Sequence, residues 1–137
     1  MISAQQLEIL LFSQQHLEQQ LVLSLPARAE TWRHIYRNHP ELAFLLAQNP
    51  SLPEDLSSEL AAHAKPSVRL MVARRGNPGF EALQNLAEDE EAAIRLAVAK
   101  REDLDQQFVM QLLNDPDEAV REATARYQQP LPLVSGW

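Results

Sequence analysis

Metal binding or proton transfer would fall in this chain to His16, His34, His39 and His63, and their spacing suits neither. No pair shows the i, i+4 arrangement around a glutamate that a zinc protease uses. No serine stands in a nucleophile elbow, and Gly76, Gly79 and Gly136 cannot form a loop that cradles phosphate. Cysteine is absent, which removes disulfides, thiolate zinc sites, iron–sulfur clusters and cysteine nucleophiles together. The expectation is a non-catalytic chain without metal or cofactor, whose histidines are buried or cap helices.

The charged residues are more informative. Three acidic clusters, "EDEE" (Glu88, Asp89, Glu90, Glu91), "EDLD" (Glu102, Asp103, Asp105) and "DPDE" (Asp115, Asp117, Glu118), interrupt apolar blocks. Carboxylates belong near helix starts, where they cap free N–H groups and oppose the positive end of the dipole. Four in succession exceed what one cap uses. If the corners that hold them align, the clusters merge into one acidic strip able to dock a basic protein. Arg69, Arg95 and Arg121 recur at 26-residue intervals in what reads as a helical first turn, where a cation opposes the dipole. Asp89 and Asp115 lie six residues before Arg95 and Arg121, so the expected compensation is structural: Asp89 with Arg95, and Asp115 with Arg121. Arg74, Arg75, Lys100, Arg101 and Arg126 fall where the same helices end, which suits the dipole and could also make a basic stripe. Trp32 and Tyr36 are i, i+4 neighbours; Trp32 is assigned to the core, and Tyr36 is kept as a candidate contact residue.

The elements that position these groups follow from a repeat. "VRLMVARR" at Val68 returns as "IRLAVAKR" at Ile94 and as "VREATARY" at Val120. On this 26-residue period Leu42, Val68, Ile94 and Val120 form one column, and Leu46, Val72, Val98 and Thr124 form a second on the same helix face. Ala47, Ala73, Ala99 and Ala125 form a third, where small side chains allow close helix approach. A second helix follows each time, with Leu60, Leu86 and Leu112 in register. Nine prolines against three glycines sit mostly between apolar blocks, and no alternating pattern competes, so the chain reads as short helices with proline corners. A helix pair this short cannot bury its apolar faces alone; stacking completes the core.

The fold class predicted is therefore all-α: a short helical-repeat solenoid of about 26-residue helix pairs behind an N-terminal capping helix. A single domain over 1–137 divides into a cap (1–24, with Leu7, Leu10, Leu11, Leu17 and Leu21 at helical spacing), a degenerate repeat (25–41) and three repeats (42–67, 68–93 and 94–119). A last helix (120–129) precedes a proline-broken tail (130–137) that Leu131, Leu133, Val134 and Trp137 fold back. At 137 residues such a chain buries roughly 65 to 70% of its unfolded surface.

"NPSLPEDLSSELAAHAKPSVRLMVARRGNP" and its echo "LAEDEEAAIRLAVAKRED" resemble leucine-rich repeat variant units, relatives of HEAT and armadillo repeats, over about Leu42 to Tyr127. That resemblance implies a right-handed stack of alternating helices. Its cluster-bearing members use cysteines that this chain lacks, so electron transfer does not carry over. Many functions share such folds.

A formal charge of −7 and a pI near 5.0 disfavour direct nucleic-acid binding, which draws on lysine and arginine, and favour a basic protein partner. The overall type is similar to bacterial immunity proteins that neutralise basic nuclease toxins. The expected docking residues are Glu88, Glu90, Glu91, Glu102, Asp103, Asp105, Asp117, Glu118 and Tyr36. The alternatives are a scaffold or adaptor subunit, and, less favoured, a HEAT-like base-excision enzyme, which would need a basic groove. The apolar runs are too short to span a bilayer, and the amino terminus lacks the basic start of a signal peptide, so a cytoplasmic location is expected.

Overall fold

A computed structural model describes residues 2–12 and 27–128, and the chain is all-α: nine α-helices and two 3₁₀ turns stand among the described residues, with no strand. The helices are α1 (Ala4–Leu11), α2 (Ala29–Asn38), α3 (Ala43–Leu46, entered through a 3₁₀ turn at Pro40–Leu42), α4 (Glu54–Ala61), α5 (Pro66–Arg75), α6 (Phe80–Ala87), α7 (Ala92–Ala99), α8 (Gln106–Leu112) and α9 (Glu118–Ala125). A second 3₁₀ turn, Arg126–Gln128, follows α9. His16, Leu17, Leu21 and the tail from Pro130 to Trp137 lie outside the described residues.

Local chemistry sets the helix ends. Pro40 and Pro66 open their elements at the first position, where a missing N–H costs nothing. Ser3 and Gln6 form a reciprocal capping box on α1: the Gln6 N–H donates to Ser3 Oγ at 3.1 Å, and the Ser3 N–H to Gln6 Oε1 at 3.0 Å. Asp117 caps α9 by accepting the Ala119 N–H at 2.9 Å. Gly79 opens α6, and its N–H reaches across to Ser58 Oγ of α4 at 2.8 Å.

The 26-residue columns are core columns. Leu42, Val68, Ile94 and Val120 are buried, as are Leu46, Val72, Val98 and Thr124, and Leu60, Leu86 and Leu112. Ala47, Ala73 and Ala99 are likewise buried, but Ala125 is exposed, because no helix covers that side of α9 among the described residues. Packing keeps the same step: α3 touches α5, α5 touches α7 and α7 touches α9, while α4 touches α6 and α6 touches α8. The repeat boundaries expected at 68, 94 and 120 fall two residues inside α5, α7 and α9. Trp32 is fully buried with Ile35, and Leu7 and Leu11 of α1 join the same core. The indole Nε1 of Trp32, Asn49 Nδ2 and Ser57 Oγ are buried without a hydrogen-bond partner among the described residues.

Candidate functional site

The recurring arginines are anchored differently from the sequence expectation. Arg95 donates from Nε to Asp115 Oδ2 at 2.8 Å and from Nη2 to Asp115 Oδ1 at 3.3 Å, a two-pronged pair. Asp89, the expected partner, offers Arg95 only its backbone carbonyl, which accepts from Nη1 at 2.6 Å. Arg69 repeats the geometry on Asp89, at 2.8 and 3.3 Å, and on the carbonyl of His63 at 2.9 Å. Each arginine therefore grips the carbonyl of the corner before its own helix and the carboxylate of the corner 20 residues ahead. Arg121 holds the Asp115 carbonyl at 2.7 Å, and no carboxylate pairs with it among the described residues. The proposed pairs Asp89–Arg95 and Asp115–Arg121 are thus replaced by Arg69–Asp89 and Arg95–Asp115. The reason is reach: a helix start faces its own corner with backbone, while the aspartate side chain turns back along the stack.

Those aspartates also organise their corners. Asp89 Oδ1 accepts the Glu91 N–H at 3.0 Å, and Asp115 Oδ1 accepts the Asp117 N–H at 2.9 Å. In the preceding corner His63 takes the same role, its Nδ1 accepting the Lys65 N–H at 3.0 Å. His63 is hence a turn residue. His34 and His39 are not buried either; both approach Glu8 Oε1 of α1, at 3.3 and 3.6 Å. Against the expectation that the histidines are buried or cap helices, no described one is buried, while His39 stands at the cap position that ends α2; among the described residues no group of histidine and carboxylate ligands is placed to hold a metal.

The acidic clusters do not form one strip. Glu88 to Glu91 and Asp115 to Glu118 occupy successive corners bridged by the Arg95–Asp115 pair, so they share an edge. Glu102, Asp103 and Asp105 lie beyond the other end of α7, about 12 Å of helix away. There Asp103 is paired with Arg101 at 3.0 Å, which holds its carboxyl below the ordinary carboxylate value. Arg101 is itself committed: Nη1 and Nη2 donate to the carbonyls of Ala73 at 2.9 Å and Gly76 at 3.1 Å, closing the carboxyl end of α5. Tyr36 stands apart from both clusters, half-buried in a groove of about 390 Å³ between α2 and α4. Burial first, and then Glu59, push its hydroxyl above the usual value. Beside it Arg33 pairs with Asp55 at 2.8 Å, a contact with no counterpart in the repeat columns and so invisible to them.

What remains is a two-corner edge. Glu88, Glu90, Glu91 and Glu118 are exposed, and no cation comes within ion-pair distance of their carboxylates among the described residues. Between the corners lies a groove of about 390 Å³, with Glu88, Asp89 and Glu90 on one wall and Gln111, Asn114 and Asp115 on the other. Gln111 Nε2 donates to Glu88 Oε1 across it at 3.4 Å. Such an edge can attract and orient a cationic surface.

Comparison with protein-family models, with curated proteins and with solved structures finds no match to this chain.

Proposed function

We propose that the chain is a short helical-repeat solenoid with an N-terminal capping helix, related in pattern to leucine-rich repeat variant units, and that it works as a non-catalytic protein-binding module. Its partner is a basic protein, and the specific reading is an immunity protein that occludes a basic nuclease toxin in the bacterial cytoplasm. One observation carries this: the division of labour among the acids. Asp89 and Asp115 are used up in pairing Arg69 and Arg95, whereas Glu88 and Glu90 line the groove and Glu91 and Glu118 stand exposed in the same two corners. The corner scaffold is neutralised internally, and the surplus negative charge faces outward. Glu102 and Asp105 at the other end of α7 lie outside this docking edge, and Asp103 belongs to Arg101. A base-excision enzyme would need a free cation in the groove, yet Arg95, the cation that lines the groove between the corners, is bound to Asp115.

The test is kinetic and cellular. Replacing Glu88, Glu90 and Glu91 with lysine should slow association with a basic nuclease toxin encoded beside this chain at least tenfold at low salt, and flatten the salt dependence. Cells producing that toxin should survive with the wild type and die with the variant. Equal survival together with an unchanged low-salt association rate overturns the assignment of the edge.

A further inference from the structure

The same repeat that builds the acidic edge builds a second surface. One position after the arginine column, Phe44, Leu70 and Leu96 form a row across α3, α5 and α7. Phe44 is 43% exposed, and Leu70 and Leu96 are half-buried, leaving part of each aliphatic surface in solvent. Four residues on from Leu70 and Leu96, one helical turn along the same face, stand Arg74 and Lys100. Both are exposed and neither side chain has a hydrogen-bond or ion-pair partner among the described residues. Three residues before the leucines come Ser67 and Ala93, small and exposed. The face is therefore a shallow apolar row with a low wall on one side and a cationic wall on the other.

Helix-dipole compensation accounts for a cation at each helix end, but not for an apolar row beside it. In a chain of net charge −7, whose arginines at 33, 69, 95 and 101 are all paired with carboxylates, two free cations beside an exposed phenylalanine and two partly buried leucines call for a guest that is apolar along one stripe and acidic along the next.

We propose that the α3–α5–α7 face is a docking surface for an acidic amphipathic helix of a partner protein. The register supports a helix. Packed helices lie about 8 to 10 Å apart, so the rows repeat at that interval, and a guest helix crossing them presents every seventh residue at about 10.5 Å. Apolar residues at i, i+7 and i+14, a stretch of about 21 Å, meet Leu96, Leu70 and Phe44 in turn, and carboxylates one turn aside meet Lys100 and Arg74. On α9 the apolar row ends in Glu122, so the guest stops at α7. Nucleic acid fits poorly, because its phosphates gain nothing from the apolar row. This surface uses none of the glutamates assigned to the acidic edge.

The probe is a labelled 16-residue helical peptide with leucines at i, i+7 and i+14 and glutamates one turn from each, titrated with the full chain by fluorescence anisotropy. Its companions are the same peptide with lysine for glutamate and a 16-base-pair DNA duplex. Saturable binding of the acidic peptide is expected, weakened at least tenfold by Arg74→Glu with Lys100→Glu and at least threefold by Phe44→Ala, with circular dichroism and thermal melts confirming that each variant folds. Replacement of Glu88, Glu90 and Glu91 by lysine should not weaken this binding, which separates it from the edge. The proposal is overturned if the acidic peptide does not bind, if the lysine peptide binds equally well, if charge reversal at Arg74 and Lys100 leaves affinity intact, or if the duplex displaces the peptide from this face.

Discussion

Arg95 and Arg121 occupy the same column, and the structure gives them unequal work. Arg95 neutralises Asp115, whose side chain is 5% exposed, so removing the guanidinium strands a buried carboxylate. Arg95→Ala should cost about 3 to 5 kcal/mol in urea unfolding, the usual consequence of breaking a buried pair. Arg121→Ala loses one carbonyl contact and should cost about 1 kcal/mol. A double-mutant cycle should find strong coupling between Arg95 and Asp115 and little between Arg95 and the Asp89 side chain. Similar losses for Arg95→Ala and Arg121→Ala would contradict the ladder's 20-residue reach. That reach was legible in principle: six residues before Arg69 stands His63, so the backward rule leaves Arg69 without an acid, whereas the forward rule supplies Asp89. Titration belongs to this scale too. The Asp55 and Asp103 carboxyls are held below their ordinary value of 3.8 by Arg33 and Arg101, so each contributes stability that is present above that value and lost as pH falls through the lowered one. Both are largely exposed, so the effect is small. Thermal melts below about pH 4 should therefore fall less steeply for Asp103→Asn than for the wild type; parallel curves would remove the Arg101–Asp103 pair from the stability balance.

Single helices here run from four to ten residues, too short to persist alone in water, so each depends on what it touches. The alanine column shows where the touching stops. Ala99 is fully buried between helices, and Ala99→Leu should overpack the contact and cost about 1 to 3 kcal/mol. Ala125 stands in the same column but is exposed, and Ala125→Leu should shift the melting temperature little. Equal destabilisation would mean that the end of α9 is covered. The glycine corner between α5 and α6 makes a similar contrast. A Cβ at Gly76 would lie 2.9 Å from Ser57 Oγ, from Val72 Cγ1 and from the Val72 carbonyl, two of them fixed in the core. Gly76→Ala should therefore destabilise by about 1 to 3 kcal/mol. At Gly79 the nearest atom is the mobile end of Glu54, at 2.8 Å, and the alanine variant should be nearly neutral. Chemical denaturation of the two variants decides it. The columns were readable because a buried row tolerates only apolar or small side chains. The corner at Gly76 was not, since glycine there answers to Ser57 on another helix.

At the scale of the molecule, charge and shape were separable. Reversing Glu88, Glu90 and Glu91 to lysine removes most of the net charge of −7 but touches only exposed side chains, so the folded state should hold within about 0.5 kcal/mol per site while encounter with basic proteins slows. A large drop in melting temperature would mean that these acids serve the fold. No helix among the described residues is long and apolar enough to cross a membrane, in keeping with the short apolar runs. The sequence by itself determined the helical class, the 26-residue step and the identity of the core columns, because burial imposes a periodic constraint on residue type that survives in a one-dimensional reading. Only the tertiary structure decided which acids share an edge, which carboxylate each arginine holds and that Tyr36 sits apart. Corners that look alike in sequence alternate between the two ends of a helix, and a side chain several bonds long can reach the unit ahead as readily as its own. Those choices depend on direction in space, which residue spacing does not record.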